Sequence, residues 1–338
     1  MERTKERNIW EVLQSFQIWP ERIEKKGKVY KVYSQGRVYA CKETSVRKGN
    51  KLHALFSFLY YKGFYRFVPV FPANTGQYAV YKDHKLYYLM PWLEGVKRQA
   101  DSGHTVKMFR ELARLHFLTS RDLKIEKERI REHFEKTSLQ WKREIAFLDK
   151  WIERCEQKWY MSPFEWGFVR YYNEFRNAYH YALYTLEQWK IKIEEERKWR
   201  SVLLHGSLSP DHFLTDDQGY GYFINFERSR FGAPYQDLLP FFSEVLRTWP
   251  AQHDDCLNWL KSYIKNFPFT DAEMLLFKSY FSQPGYIIRL LNRYETRRVA
   301  NHELVYSKLL EQEYWRLKNT EYVISRLESQ KNKEEGGI

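Results

Sequence analysis

The sequence predicts an α+β protein with a small antiparallel sheet near the N-terminus and a larger, mainly helical region after it. Three observations predict this class. Apolar and polar residues alternate along much of residues 28–90, the apolar period becomes 3.6 residues from Thr105 onward, and one island of strand and turn signals interrupts the helices at 201–227. Because one domain typically has about 150 residues, we predict two lobes, 1–92 and 93–328, and a frayed tail over 329–338.

The composition is basic and rich in aromatic residues. There are 56 Lys and Arg against 43 Asp and Glu, which gives a net charge of +13, and 18% of the residues are Phe, Trp or Tyr. This aromatic content excludes disorder over most of the length. Tyr and Trp suit both packed cores and contact surfaces, so core filling and membership of an assembly both stay open as explanations.

Targeting and redox signals are absent from the sequence. Residues 1–7 are charged and lead into no apolar segment, and no run of 18 apolar residues occurs, so we expect neither a signal peptide nor membrane insertion. Synthesis in the cytoplasm is therefore expected. Cys41, Cys155 and Cys256 form no CxxC pair, which indicates reduced thiols and supports neither disulfides nor a zinc site.

The N-terminal lobe begins with a hairpin signal. Residues Lys28–Tyr33 and Arg37–Lys42 alternate in polarity and are separated by Ser34-Gln35-Gly36, a spacing that predicts an antiparallel pair. The remaining elements of this lobe are predicted in order as a short buried helix over Leu52–Tyr61, strands at Gln77–Tyr81 and Leu86–Met90, and a non-helical connector over Pro91–Gly95.

The C-terminal lobe contains a series of amphipathic helices. The first starts near Thr105, a second covers about Ile125–Lys158, and the last covers Glu303–Glu328. Two capping boxes, Ser162-Pro163-Phe164-Glu165 and Thr270-Asp271-Ala272-Glu273, predict further helix starts. The island combines strands at Ser201–Leu204, Phe213–Leu214 and Tyr220–Phe226. A hairpin inside a helical lobe needs its own polar partners, so the island indicates a site.

The island and the residues that follow it contain three motifs: His205-Gly206-Ser207-Leu208-Ser209-Pro210-Asp211-His212, Ile224-Asn225-Phe226-Glu227 and Gly232-Ala233-Pro234-Tyr235-Gln236-Asp237-Leu238. Together with Glu111–His116 and the Pro91–Gly95 connector, they resemble the aminoglycoside and choline phosphotransferases. That family has His-Gly-Asp with Asn five residues after the Asp, a later Asp-Phe-Asp/Glu, and Gly-x-Pro-x-x-Asp-Leu. The resemblance implies a kinase-like two-lobe fold.

Two further sequence motifs resemble a narrower group of proteins. Tyr61-Lys62-Gly63-Phe64 and Tyr87–Gly95, with the aromatic-rich helices, are similar to the CotS-type spore coat proteins of endospore-forming bacteria. This resemblance implies a divergent coat protein that is made in the mother cell and deposited on the forespore. It also implies that its partners are other spore coat proteins.

The family's reactive residues are replaced in this chain. Ser207 stands at the catalytic Asp position, and its neutral hydroxyl is no base at neutral pH, which typically loses on the order of 10²–10⁴ in rate. His212 stands at the metal-binding Asn position and Asn225 at the metal-binding Asp, although magnesium prefers oxygen ligands that include carboxylates. We therefore predict a pseudokinase with no confident catalytic residue, no metal site and no cofactor.

One basic residue is a candidate for binding the phosphates of a nucleotide. Lys42 occupies the position of the family's phosphate-binding lysine, but no Gly-x-Gly-x-x-Gly precedes it and the helix after it contains no acid. Glu43 points to the opposite strand face. Lys42 is therefore predicted to be an unpaired, solvated lysine, and a role in binding the phosphates of ATP is the alternative.

Two acids and two bracing residues complete the candidates. Asp211 and Glu227 lie close in sequence to the lost positions, so a rearranged acid pair that holds magnesium and ATP with Lys42 stays open. In the family fold the residues matching His205 and Asp237 brace the catalytic loop through hydrogen bonds to its backbone, and the same structural role is implied here.

These observations favour a non-catalytic, kinase-like component of the spore coat, structural or binding. The alternative is an active small-molecule phosphotransferase that uses Asp211 and Glu227. A nucleic-acid role suits the positive charge and the aromatic residues, but acids are interspersed with the bases and no reader motif occurs, so it is disfavoured. A small-molecule ligand between the lobes stays open.

Overall fold

A computed structural model describes residues 2–46, 51–93, 102–247, 254–296 and 303–335. The helices are α1 (Glu2–Ser15), α2 (Leu52–Tyr61), α3 (Ser102–Thr119), α4 (Lys127–Glu156), α5 (Pro163–Glu196), α6 (Tyr235–Val245), α7 (Asp254–Asn266), α8 (Asp271–Ser282), α9 (Gly285–Thr296) and α10 (Glu303–Glu335). The strands are β1 (Arg22–Lys26), β2 (Val29–Ser34), β3 (Arg37–Ser45), β4 (Val80–Lys82), β5 (Lys85–Pro91), β6 (Arg121–Lys124), β7 (Lys198–Leu204), β8 (Phe213–Thr215), β9 (Gly221–Phe223) and β10 (Arg230–Gly232).

The predicted α+β class is confirmed, with an antiparallel sheet in the N-terminal region and a mostly helical remainder. The chain forms two compact units. The first unit contains Met1–Ser120 and Val202–Gly232, and the second contains Arg121–Ser201 and Ala233–Ile338. The predicted lobe boundary after residue 92 stays a prediction, and Glu94 and Gly95 of the predicted connector lie outside the described residues.

The first unit is built on a five-stranded antiparallel sheet in the order β1-β2-β3-β5-β4. The predicted hairpin is present as β2 and β3. In its register Lys42 lies opposite Val29 on β2 and opposite Tyr88 on β5. Directly opposed residues point to the same face of a sheet, so Lys42 and Tyr88 share a face.

Among the helices and strands of the first unit, α1, β1 and β10 were not predicted. The apolar residues of α1 follow a helical period, and Ile9, Val12, Leu13 and Phe16 are buried in the core beneath the sheet. β1 has the sequence RIEKK, in which only Ile23 is apolar. Its strand conformation comes from pairing with β2, because propensity alone does not favour it.

The island packs within the first unit. β8 and β9 form an antiparallel pair in which Phe213 lies opposite Phe223, and Val202–Leu204 of β7 pairs with β10. Phe223 is fully buried, its N–H donates to the carbonyl of Arg66 at 2.9 Å, and its carbonyl accepts from the N–H of Val68 at 3.0 Å. The hairpin is thereby fixed to the segment that follows α2.

The second unit is helical, and both predicted capping boxes are confirmed. The Ser162 side chain accepts from the Glu165 N–H at the start of α5, and Thr270 and Glu273 repeat the arrangement at α8. A short pair, β6 with Lys198–Ser201 of β7, was not predicted. α10 continues past Glu328 to Glu335, and residues 336–338 lie outside the described residues. None of the described helices is both long and apolar enough to cross a membrane.

Candidate functional site

Four side chains of the first unit meet at the face of the sheet that carries Lys42. The Lys42 ammonium (Nζ) lies 2.6 Å from the Glu227 carboxylate oxygen Oε1 and also donates to the side-chain oxygen of Asn225. The hydroxyl of Tyr88 donates to the same Glu227 oxygen at 2.7 Å. β3 supplies Lys42, β5 supplies Tyr88, and the turn after β9 supplies the other two residues. We call Lys42, Tyr88, Asn225 and Glu227 the lysine cluster.

The lysine cluster is largely shielded from water. The side chains of Lys42 and Glu227 are 14% and 8% exposed. Burial acts to raise the pKa of Glu227, but the charge of Lys42 and the hydrogen bonds from Lys42 and Tyr88 outweigh it, so the pKa lies below its ordinary value. Burial and the Glu227 charge raise the pKa of Tyr88 well above its ordinary value. The cluster therefore combines a carboxylate with a neutral phenol donor at neutral pH.

The prediction that Lys42 is unpaired and solvated is wrong. Its acidic partner is Glu227, 185 positions later in the chain, and not a residue of α2. Glu43 does point to the other face, where it pairs with Lys85 at 2.7 Å. Tyr88 was not singled out as a site residue, although the strand pattern around it could have placed it beside Lys42.

The loop between β7 and β8 contains Ser207 and His212. The buried His205 ring donates from Nε2 to the carbonyl of Ile224 at 2.8 Å, and His212 donates from Nδ1 to the carbonyl of Ser207 at 2.6 Å. A carbonyl oxygen can only accept a hydrogen bond, so the Nε2 atom of His205 and the Nδ1 atom of His212 each carry a proton. His212 therefore holds this loop through the loop's own backbone, whereas His205 ties the end of β7 to the segment that follows β9. The bracing role that the resemblance implies for His205 stays a prediction.

Asp211 and Asp237 lie on other elements than the four residues of the lysine cluster. Asp211 is exposed within a single 3-10 turn, Pro210–His212, where its N–H donates to the Ser209 hydroxyl at 3.3 Å. Asp237 is buried in the first turn of α6, in the second unit. The bracing role of Asp237 and the pairing of Asp211 with Glu227 stay predictions.

The cluster's oxygen atoms do not fit a magnesium ion as they are arranged. Its one carboxylate uses Oε1 for both Lys42 and Tyr88, and the Asn225 side-chain oxygen accepts from Lys42. Magnesium is normally held by one or two carboxylates together with phosphates and waters. Across the described ranges, no group of three or more His, Cys, Asp and Glu side chains could hold a metal ion. The cluster can neutralise and fix a lysine, but it offers no ready metal ligand set.

Comparison with known proteins identifies relatives of this arrangement. A sequence model described as "Phosphotransferase enzyme family" matches residues 42–265. An aminoglycoside phosphotransferase from Alicyclobacillus acidocaldarius superposes with a TM-score of 0.70 at 14% identity, over 94% of this chain and 96% of that one. A spectinomycin phosphotransferase in its AMP-bound complex superposes with a TM-score of 0.55 at 14% identity, over 93% and 97% of the two chains. At these identities the likeness to the two structures shows the fold alone.

A search of curated protein sequences found no match.

Proposed function

The chain belongs to the phosphotransferase enzyme family, and we propose that it is a non-catalytic member, a pseudokinase that serves as a structural or binding component of the spore coat. The kinase-like fold supports the first half of this proposal, together with the residues that replace the reactive ones. The sequence motifs similar to the CotS-type proteins and the composition of the surface support the second part, the role in the spore coat.

The observation that carries the proposal is the arrangement around Lys42. Its ammonium already has a carboxylate and an amide oxygen in a poorly hydrated place. A nucleotide phosphate that approached Lys42 would have to displace Glu227 or lie beside its negative charge, and like charges repel strongly where water is excluded. In active relatives metal ions relieve such repulsion, but Asn225 supplies no charge to hold one. The cluster thus favours a self-neutralised state over phosphate binding.

The loop that carries Ser207 lacks the family's catalytic carboxylate at that position. Ser207 stands where the family has its catalytic carboxylate, and a neutral hydroxyl cannot take a proton from an acceptor alcohol at neutral pH. His212 directs the proton of Nδ1 to the Ser207 carbonyl. The family's scaffold is thus retained around positions that have lost their reactive groups.

Surface composition supports a role in an assembly. Trp159 is 90% exposed, Tyr61 is 85% exposed, and Tyr160 is 84% exposed, which is unusual for such large rings. Aromatic residues are enriched at protein interfaces. The positive charge of the chain suits acidic partners, which on the CotS resemblance are other coat proteins. We place the protein in the coat after its synthesis in the mother cell.

A second candidate, an active small-molecule phosphotransferase, is favoured by one feature of the same cluster. Active protein kinases need a lysine–glutamate ion pair beside the phosphates, and the Lys42–Glu227 pair is intact. In this alternative Glu227 would keep Lys42 in position, Asp211 would serve as the acid or base, and ATP with magnesium would be the cofactor.

A titration with ATP separates the two candidates. We expect no magnesium-dependent rise in Tm and no release of ADP above the protein-free rate, because His212 and Asn225 replace the amide and the carboxylate that hold magnesium in the family. A ligand that binds only the native state at about 100 times its Kd adds about 2.7 kcal/mol, so binding would be visible. A Tm rise without magnesium would indicate a nucleotide-binding pseudokinase.

The matched variant for this titration restores the family residues as Ser207→Asp, His212→Asn and Asn225→Asp. A magnesium-dependent Tm rise in this variant alone would show that the assay detects a repaired site. Magnesium-dependent ADP release by the unaltered protein, lost in Glu227→Ala, would contradict the proposal and establish the second candidate.

The coat location has its own test. In a sporulating endospore-former, a fluorescent fusion of the chain should form a ring around the forespore, and the protein should be released from mature spores with the coat fraction. A fusion that stays spread through the mother cell, with no protein in the coat extract, would contradict the coat half of the proposal and leave the pseudokinase half standing.

A further inference from the structure

A cavity of about 400 Å³ lies on the second unit, lined by α4 and α9. The lining residues of α4 follow one another at intervals of three or four positions over 136–147, so they form one face of that helix. Helix α9 contributes Ile288. Ligand clefts in proteins have volumes of about 300–1,000 Å³, so this cavity is large enough for a small organic molecule.

The two helices that line the cavity are joined to each other at two places. Gln283, two positions before α9, donates to Glu144 of α4 at 2.8 Å. Farther along both helices, Arg154 of α4 donates to Glu295 of α9 at 2.6 Å. Most ligand sites are largely formed before the ligand binds, and these two contacts hold the cavity in its present shape.

Part of the lining is apolar. Leu139 and Phe147 lie two turns apart on α4, and Ile288 lines the same cavity from α9. Leu139 is 49% exposed, so much of its side chain is in contact with water. Removal of apolar surface from water is favourable. The hydrocarbon part of a ligand therefore gains affinity in this cavity.

Two cations belong to the same lining, Lys136 and Arg143. They are seven positions apart on α4, which places them on one helix face, and both are exposed. Within the described part of the chain, neither forms an ion pair. Arg143 is one turn from Leu139 and one turn from Phe147. A ligand can thus meet a cation and apolar surface at the same time.

Glu144 is the one acid among the lining residues, and its oxygens are already hydrogen-bonded. Its Oε2 accepts from the buried Tyr179 hydroxyl and from Gln283, each at 2.8 Å, and its Oε1 accepts from Gln140 at 2.9 Å. A carboxylate has about four acceptor sites, so little of Glu144 remains for a ligand. Two cations and one acid leave one positive charge in the lining, which a single carboxylate would neutralise.

We propose that this cavity binds a small organic acid with one carboxylate and an apolar chain. Arg143 binds the carboxylate through paired N–H groups, a geometry that suits the guanidinium fork. Lys136 supplies the second cation, and Gln140 donates the amide N–H that Glu144 does not use. The chain of the ligand covers the apolar part of the lining.

This site goes beyond the proposed function and does not depend on it. Its lining residues all belong to the second unit, whereas the lysine cluster belongs to the first. Binding of an organic acid requires neither a nucleotide nor a transferred phosphate. Failure of either proposal therefore leaves the other standing.

The test compares octanoate, 1-octanol and octylamine by isothermal titration calorimetry on the full chain. We expect octanoate to bind at least about tenfold more tightly than 1-octanol, which is about 1.4 kcal/mol, because hydrogen bonds between Arg143 and a carboxylate are charge-assisted. Octylamine should bind more weakly than both. Hexanoate should bind about fourfold more weakly than octanoate, since two methylene groups fewer are partly buried.

A matched pair of variants assigns the head group. Arg143→Gln should weaken octanoate binding about tenfold and leave 1-octanol binding unchanged. Lys142→Gln removes the same charge from the neighbouring exposed residue of α4, which does not line the cavity. This control should weaken octanoate binding less than about twofold. Equal Tm values of the two variants and the unaltered protein would show that the fold is intact.

A further ligand tests the state of Glu144 without any variant. Racemic 2-aminooctanoate adds an ammonium group beside the carboxylate of the same chain. Because the Glu144 oxygens already accept three hydrogen bonds, we expect this zwitterion to bind no more tightly than octanoate.

Four results would overturn the proposal. The first is the absence of octanoate binding, and the second is equal affinity for octanoate and 1-octanol, which would mean an apolar surface without a carboxylate site. The third is an equal loss of octanoate binding in Arg143→Gln and Lys142→Gln, which would mean attraction to net charge. The fourth is tighter binding of 2-aminooctanoate than of octanoate, which would assign the cavity to amino acids held by Glu144.

Discussion

Replacing Glu227 with alanine should lower the free energy of unfolding by about 3 kcal/mol, because removal of one partner of a buried ion pair leaves the other charge without compensation. Lys42 is 14% exposed, and its remaining acceptor among the described residues is the amide oxygen of Asn225. The hydroxyl of Tyr88, a residue that is 3% exposed, loses its acceptor in the same variant. Urea unfolding followed by circular dichroism measures the loss.

Two comparisons make this result specific. In the double variant Lys42→Met with Glu227→Leu, both charges are gone and apolar groups fill the space, so most of the loss should be recovered. Glu43, adjacent on β3, pairs with Lys85 at 2.7 Å, but the two side chains are 17% and 48% exposed. Glu43→Ala should therefore cost less than about 1 kcal/mol. Equal losses in Glu43→Ala and Glu227→Ala would contradict the assignment of a buried pair.

The pH dependence of stability tests the same pair in the unaltered protein. The pKa of Glu227 is lowered in the folded state from its ordinary value of 4.5. A lowered pKa gives stability that is fully present above the unfolded value and is lost as the pH falls through the folded one. Relative to the double variant, the unaltered protein should therefore begin to lose stability only below about pH 4.5. A difference that stays constant down to pH 3 would contradict an ionised Glu227.

The elements predicted correctly are those with strong local signals. α2 begins and ends at the predicted residues, Leu52 and Tyr61, because an apolar run of helical length is followed by a glycine that stops it. The boxes at Ser162 and Thr270 were recognisable because a cap acts within four residues. Hairpin β2–β3 followed from alternation and a short turn. Each of these elements is determined by residues that lie close together in the sequence.

The elements that sequence reasoning missed depend on partners. β1 is a basic strand that exists because β2 pairs with it, and α1 begins in a charged stretch whose helical period appears only from Ile9 onward. The Lys42–Glu227 contact joins residues far apart in the chain, and no periodicity or spacing indicates which acid the fold brings to a given lysine. The replaced residues were recognised from motifs, but their arrangement required the fold.

Gly206, which precedes Ser207 in the loop, should be the least replaceable glycine of the site. Its φ is +77°, and a Cβ built on it would lie 2.4 Å from the carbonyl oxygen of Arg228. Gly206→Ala therefore combines backbone strain with an overlap against main chain that no side-chain rotation relieves. We expect a loss of about 3 kcal/mol in the free energy of unfolding, from about 1 for the conformation and about 2 for the overlap.

Gly219 is the matched control for this prediction, because its φ is +81° and nothing lies within 4 Å of a Cβ built there. Gly219→Ala has the same conformational strain without the overlap, so it should cost about 1 kcal/mol. The difference between the two variants then measures how tightly the loop that carries Ser207 is held against Arg228. Losses of similar size would mean that this loop moves aside easily, and that the retained scaffold does not fix the positions where the family's reactive residues stood.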